Sequence, residues 1–133
     1  MDLVVDANVL FAALVKQSKT AELLFRDELH LYAPDFIFEE YSKYKGELLE
    51  KTGRSPQDFE HLVKVLQRRI NVLPVEEFLP FMKEAKAVSP DAKDAAYFAV
   101  ALKLGASIWS NDKKLKEQKQ VKVWNTSELA SKL

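Results

Sequence analysis

The chain has no cysteine among its 133 residues, which excludes disulfides and thiolate metal sites. Only three glycines and five prolines interrupt it, and no low-complexity tract, internal repeat or interdomain linker is visible. Long apolar runs are missing as well. None approaches the roughly 20 residues of a membrane-spanning helix. The opening Met1-Asp2-Leu3-Val4-Val5-Asp6 lacks the basic start and apolar stretch of a secretory signal, so a cytoplasmic protein is expected. Charge of one sign is absent too. Twenty basic and twenty acidic side chains cancel, and no net field draws the chain towards a polyanion or an anionic membrane.

What is present reads as a globular chain: 47% hydrophobic and 30% charged residues. A domain of this size buries roughly two thirds of its unfolded surface, so one domain over residues 1–133 is expected. Short β-rich runs at 3–6, 30–33, 70–74, 106–110 and 121–124 alternate with helical patterns. That alternation predicts a parallel sheet with helices on its faces. Leu3-Val4-Val5 and Ile108-Trp109 look like strands buried on both faces.

Helix boundaries are marked by capping residues. Ser55-Pro56-Gln57-Asp58 and Ser89-Pro90-Asp91 each offer a serine cap, proline in the first turn and an acid after it. Asn125-Thr126-Ser127-Glu128 resembles a capping box, and Gly105 suits the end of a helix over 91–104. Gly53 separates two long helices that could form a projecting hairpin. Its Phe59-Leu62-Val63-Leu66 stripe packs inward, or against a second copy of the chain. Pro80 is tolerable only in the first turn of a helix near 77–87.

Four acids stand where segments change character: Asp6, Glu40, Asp94 and Asp112. Asp6 ends the first apolar run, where open α/β sheets place their ligand crevice, although Asp is also a common helix cap. Asp112 shares that ambiguity, with Ser110 nearby to bond a carboxylate or a water. Asn8 could orient a carboxylate or serve as a cap. Asp94 lies one turn after Asp91 in an otherwise apolar helix, and the helix dipole accounts better for Asp91. Glu40 follows Glu39, and adjacent helical positions differ by about 100°, so only one of the two faces any common site. Carboxylates crowded together repel unless protons or a cation neutralise them. Hard oxygen donors without His or Cys suit Mg²⁺ or Mn²⁺ rather than zinc. His30, in a strand, and His61, in the hairpin, read as structural or surface residues. Lys43, Lys45, Lys93, Lys113, Lys114 and Lys116 lie near the acids and could meet phosphates, or simply be solvated.

In order along the chain, four segments resemble the PIN-domain nucleases, which include the toxin ribonucleases of toxin–antitoxin pairs. They are Leu3-Val4-Val5-Asp6-Ala7-Asn8-Val9-Leu10, Pro34-Asp35-Phe36-Ile37-Phe38-Glu39-Glu40-Tyr41, Asp91-Ala92-Lys93-Asp94-Ala95-Ala96 and Ile108-Trp109-Ser110-Asn111-Asp112. In that family the glutamate precedes an apolar residue, which selects Glu40 over Glu39. The family commonly has threonine where this chain has Ser110, and the hydroxyl is kept. The resemblance implies a three-layer α/β/α fold around a parallel sheet of about five short strands. It also implies a Mg²⁺- or Mn²⁺-dependent endoribonuclease acting on single-stranded RNA, as a homo-oligomer with an antitoxin partner. Asp6, Asp94 and Asp112 would then be metal ligands, and Glu40 a ligand or the group that orients and deprotonates water. Asn8, Asp91 and Ser110 would support them. Two other readings remain: a metal-dependent phosphatase or phospho-acceptor domain, and a non-catalytic RNA-binding domain of the same fold. The first is disfavoured by Asn8, where such phosphatases carry a second Asp.

Overall fold

A computed structural model describes residues 1–15 and 18–133. Five strands form one sheet: β1 Asp2–Val5, β2 His30–Pro34, β3 Ile70–Leu73, β4 Ser107–Trp109 and β5 Val123–Trp124. All neighbours are parallel, in the order β3-β2-β1-β4-β5. The sheet is flanked by helices in a three-layer α/β/α arrangement. The central strand owes its place to composition, since Leu3, Val4 and Val5 are all fully buried and can only sit between two helical layers.

Between β1 and β2 lie α1 Ala7–Leu14 and α2 Lys19–Leu24; between β2 and β3 lie α3 Ile37–Lys43, α4 Lys45–Thr52 and α5 Pro56–Arg69. The chain thus steps outward twice in one direction. It then returns across the sheet through α6 Val75–Phe78, a 3₁₀ turn at Leu79–Phe81, α7 Met82–Val88, a second 3₁₀ turn at Ala92–Asp94 and α8 Ala95–Leu104. Right-handed crossovers put these two groups of helices on opposite faces. α8, with Tyr97, Phe98, Ala99, Val100 and Ala101 all buried, lies against β1, β2 and β4. α9 Thr126–Lys132 closes the chain, its Asn125–Glu128 capping box formed as expected. No described helix is long and apolar enough to cross a membrane.

Several boundaries differ from the sequence reading. The long helix before Gly53 is two helices. Its first part tightens at Tyr44, whose N–H reaches back to the Tyr41 carbonyl at 3.2 Å, and the chain restarts with the Leu48 N–H on the Tyr44 carbonyl at 2.8 Å. Tyr41 and Leu48, on either side of the break, are both buried. The hairpin does not stand away from the core: Phe59, Val63 and Leu66 are buried within this chain, with Phe59 against the Tyr41 ring at 5.6 Å. A second copy would have to use another surface. Pro80 sits within the 3₁₀ turn instead of opening a continuous helix, because a proline has no N–H to donate back. Ser89 ends α7, and Asp91 is the residue that caps the following turn, accepting from Lys93 N–H at 3.0 Å. Gly105 (φ 62°) and Gly53 (φ 68°) both take the left-handed conformation that ends a helix.

Two arginines lock the helices to the sheet edge. Arg69, in the last turn of α5, donates to the carbonyls of Leu24 (2.6 Å), Arg26 (2.7 Å) and Leu29 (2.7 Å). Arg54 donates to the Leu14 carbonyl at the end of α1, at 2.6 Å. Each supplies donors to carbonyls that the ends of short helices leave unpaired.

Candidate active site

The strand order reverses between β1 and β4, and at such a switch point the loops leaving the two strands diverge to opposite faces and open a crevice. Asp6 follows β1 and lines the cavity at this mouth, whereas Ser110 and Asp112, which follow β4, do not line it and reach the site through their link to Asp6. Asp94 arrives from above, at the N-cap position of α8. Glu40, on α3, comes from the side. Asp6, Asn8, Glu40 and Asp94 line one cavity of about 670 Å³.

Asp6 is both cap and site residue. One carboxylate oxygen accepts from Val9 N–H at 2.9 Å, which starts α1; the other accepts a very short hydrogen bond from the Ser110 hydroxyl. That hydroxyl in turn accepts from Asp112 N–H at 3.1 Å, so one serine ties the ends of β1 and β4 together. Asp112 caps the 3₁₀ turn after it by accepting from Lys114 N–H. The two readings of these acids were therefore not alternatives. Asp6 is only 5% exposed. Burial pushes its carboxyl above the usual range, with a further push from the charge of Asp112, while Ser110 and Val9 pull the other way.

Asp94 behaves differently. Although it stands at the N-cap position of α8, its side chain accepts no capping hydrogen bond. Burial, then the charges of Asp91, Asp112 and Asp6, raise its carboxyl to about 6, and Lys93 opposes them. An uncapped carboxylate facing three others is a group that needs a counter-charge. Asp91 contributes charge from the margin while capping its own turn. Glu40 lines the cavity and Glu39 does not. Asn8 is exposed at the mouth.

Among the described residues, no three acidic or histidine side chains stand as a ready-made ion cage. The donor set is nonetheless all oxygen, and Mg²⁺ keeps several waters while taking only one or two carboxylates. The uncapped, raised Asp94 beside Asp6 fits such an ion.

Tyr97, buried within the apolar stretch of α8, also lines the cavity. Its hydroxyl is raised first by burial, then by Asp6, Asp94 and Glu40, which places a permanently protonated donor among the acids. The available signal was a lone hydroxyl three residues after Asp94, hence on the same helix face. Phe11, Phe36 and Tyr44 also line the cavity. Of the lysines singled out from sequence, only Lys93 lines it; Lys43 lies 3.8 Å from Glu40, Lys45 pairs with Glu60, and Lys116 with Glu128. His30 is exposed and meets Asp2 at 3.0 Å, and His61 is exposed on α5. Neither histidine lines the cavity.

The serine link can be tested directly. Ser110→Ala leaves the Asp6 carboxylate and Asp112 N–H without their shared partner, and is expected to cost about 1–3 kcal/mol of stability at pH 7. Ser110→Thr returns the hydroxyl and should recover most of that loss. Urea unfolding of the three proteins measures it.

Residues 4–133 match the family model of the PIN domain. No curated protein matches the chain. Among solved structures, the fold is similar to that of VapBC2 from Rickettsia felis, crystallised bound to a DNA fragment from their promoter. The match has a TM-score of 0.63, covers 94% of this chain and 98% of that one, and has 13% sequence identity. At that identity the likeness concerns the fold alone.

Proposed function

Because the chain belongs to the PIN-domain family, we propose that it is a divalent-metal-dependent endoribonuclease, acting in the cytoplasm as the toxin of a toxin–antitoxin pair. The observation that carries the chemistry is the uncapped Asp94 sharing a cavity with Asp6 and Glu40, its carboxyl raised by burial and by the charges of Asp91, Asp112 and Asp6. The fold likeness to VapBC2 supports the partner reading, in which a separate antitoxin holds the nuclease inactive. A homo-oligomer is part of the same proposal. A reading frame for a small DNA-binding protein beside this one would favour the toxin over an RNA-processing enzyme.

In this reading Asp6, Asp94 and Asp112 would hold Mg²⁺ or Mn²⁺, directly or through water. The cation supplies Lewis acidity at the phosphoryl group and eases deprotonation of the attacking water. The rest belongs to the protein. Val9 N–H and the Ser110 hydroxyl fix the Asp6 carboxylate, so its orientation costs nothing when substrate arrives. Glu40 orients the attacking water and accepts its proton. Tyr97, held protonated by burial and the nearby acids, would present its hydroxyl to the site, and Asn8 its amide at the mouth. The water adds to phosphorus as the bond to the leaving ribose oxygen breaks.

Single-stranded RNA should be cut in Mg²⁺ or Mn²⁺ and spared in EDTA. No cleavage of diverse RNAs, together with no metal binding by calorimetry, would overturn the proposal. Stability gives a second readout. Asp94 has a folded pKa of about 6 against an ordinary 3.8, so without cation its contribution is complete below pH 3.8 and is lost as pH rises through 6. Asp6 is shifted in the same direction. A cation at a hundredfold excess over its dissociation constant should raise the melting temperature at pH 7.5 by roughly 8 °C. The gain should shrink at pH 5, where protons compete.

A further inference from the structure

Part of the cavity wall is aromatic. Phe11, on α1, and Tyr44, at the break between α3 and α4, meet edge to face with centroids 6.3 Å apart and planes at 71°. Rings so arranged do not stack on each other, and each keeps a face the other does not cover. Tyr44 is 46% exposed, a large aromatic presented to solvent. It is also held firmly, since its N–H and carbonyl join the last turn of one helix to the first turn of the next. Both rings line the same cavity as Asp6 and Asp94.

Charge alone cannot hold a polyanion here. The chain has no net charge, and the carboxylate wall repels phosphate. Of the two lysines lining the cavity, Lys51 is paired with Glu47 at 2.9 Å, and Lys93 alone has no salt bridge among the described residues. A cation held by the acids would meet phosphate at one point only, and aromatic faces add contact energy from any unpaired base.

We propose that the Phe11–Tyr44 wall stacks a nucleobase of single-stranded RNA, so that Lys93 and the carboxylate wall meet the backbone of the same strand. The proposal rests on the nuclease reading and adds the group that grips the substrate. It explains a restriction to unpaired RNA, because in a duplex both faces of each base are covered by neighbours.

The test uses the full chain carrying Asp94→Asn, so that a labelled single-stranded RNA survives while its binding is read by fluorescence anisotropy in Mg²⁺. Adding Tyr44→Ala should weaken binding by roughly 5- to 150-fold, the range found when one base-stacking aromatic is truncated. Tyr44→Phe keeps the ring and should bind like the parent. A strand of the same length with abasic riboses should bind equally well with and without the Tyr44→Ala change, since it has no base to stack. The proposal is overturned if Tyr44→Ala binds RNA as the parent does, as it would if the wall serves a protein segment, or if it weakens the abasic strand as much. Cleavage by the otherwise unaltered chain separates the two levels. If the wild-type protein cuts RNA and Tyr44→Ala cuts it with the same KM, only the stacking wall falls. If the wild-type protein neither binds nor cuts RNA, the nuclease reading falls and takes the wall with it.

Discussion

Asp6→Asn is expected to abolish RNA cleavage while leaving the protein as stable at pH 7 as before, or more so. Loss of a ligand removes most of the several kcal/mol that a correctly held cation gives the transition state. That corresponds to roughly 10²- to 10³-fold in rate. Stability moves the other way because the native carboxylate is buried and raised above its ordinary pKa, so the fold bears a cost for its charge. Asparagine keeps an oxygen to accept from Val9 N–H, and its amide can face the Ser110 oxygen. Asp94→Asn should behave alike, and should flatten the pH dependence of stability between about pH 4 and 6, since the group responsible is gone. Cleavage assays and thermal melts on the same preparations make the comparison. Wild-type cleavage by either variant would show the site to be misassigned, and a loss of activity that tracks unfolding would show the acids to be structural.

Arg69→Ala is expected to be the costlier change to the fold. Three carbonyls, from Leu24, Arg26 and Leu29, converge on one guanidinium, and removing it takes a charged donor from each, leaves only the Leu29 N–H on Arg26, and frees the α2–β2 connection from α5. Charged hydrogen bonds contribute about 1.5–3 kcal/mol each. They are not additive on one side chain and Arg69 is partly solvated, so a total near 2–4 kcal/mol is expected, or roughly 10 °C in melting temperature. Arg69→Lys retains charge but not the planar fork, and should recover less than half. Chemical denaturation with an unchanged slope would confirm a loss of native stability rather than a change in the unfolded ensemble.

The strands were legible because each is a short β-rich run closed by polar residues, and in β1 and β4 burial on both faces admits few other structures; the edge strand β3 exposes Asn71 and Val72. The last was the least so: only Val123 and Trp124 of the run 121–124 are strand, since the Gln118 side chain bonds Val121 N–H and its carbonyl and so ends a turn there. Helix breaks were not legible. Near Tyr44 the only local signal is Gly46 two residues on, a weak one, since an isolated glycine is tolerated within a helix. Asp6 and Asp112 could not be divided between cap and site by sequence: both cap a helical turn, and Asp6 also lines the cavity. The separation of Asp94 from Asp91 did reside in the local pattern, since a helix start offers one capping position and Asp91 takes it. The aromatic wall was beyond reach, because Phe11 and Tyr44 come from segments with ordinary helical patterns that meet only across the cleft.

The hydrogen bond from Ser110 to Asp6 joins residues 104 positions apart, and the central strand β1 pairs with β4 across a similar span. A chain leaving the ribosome therefore exposes Asp6 long before its partners are made. Contacts this distant form late and slowly. The nascent protein carries Asp6 and Asp94 before Ser110 and Asp112 exist, so the arrangement around Asp6 is completed only as synthesis ends.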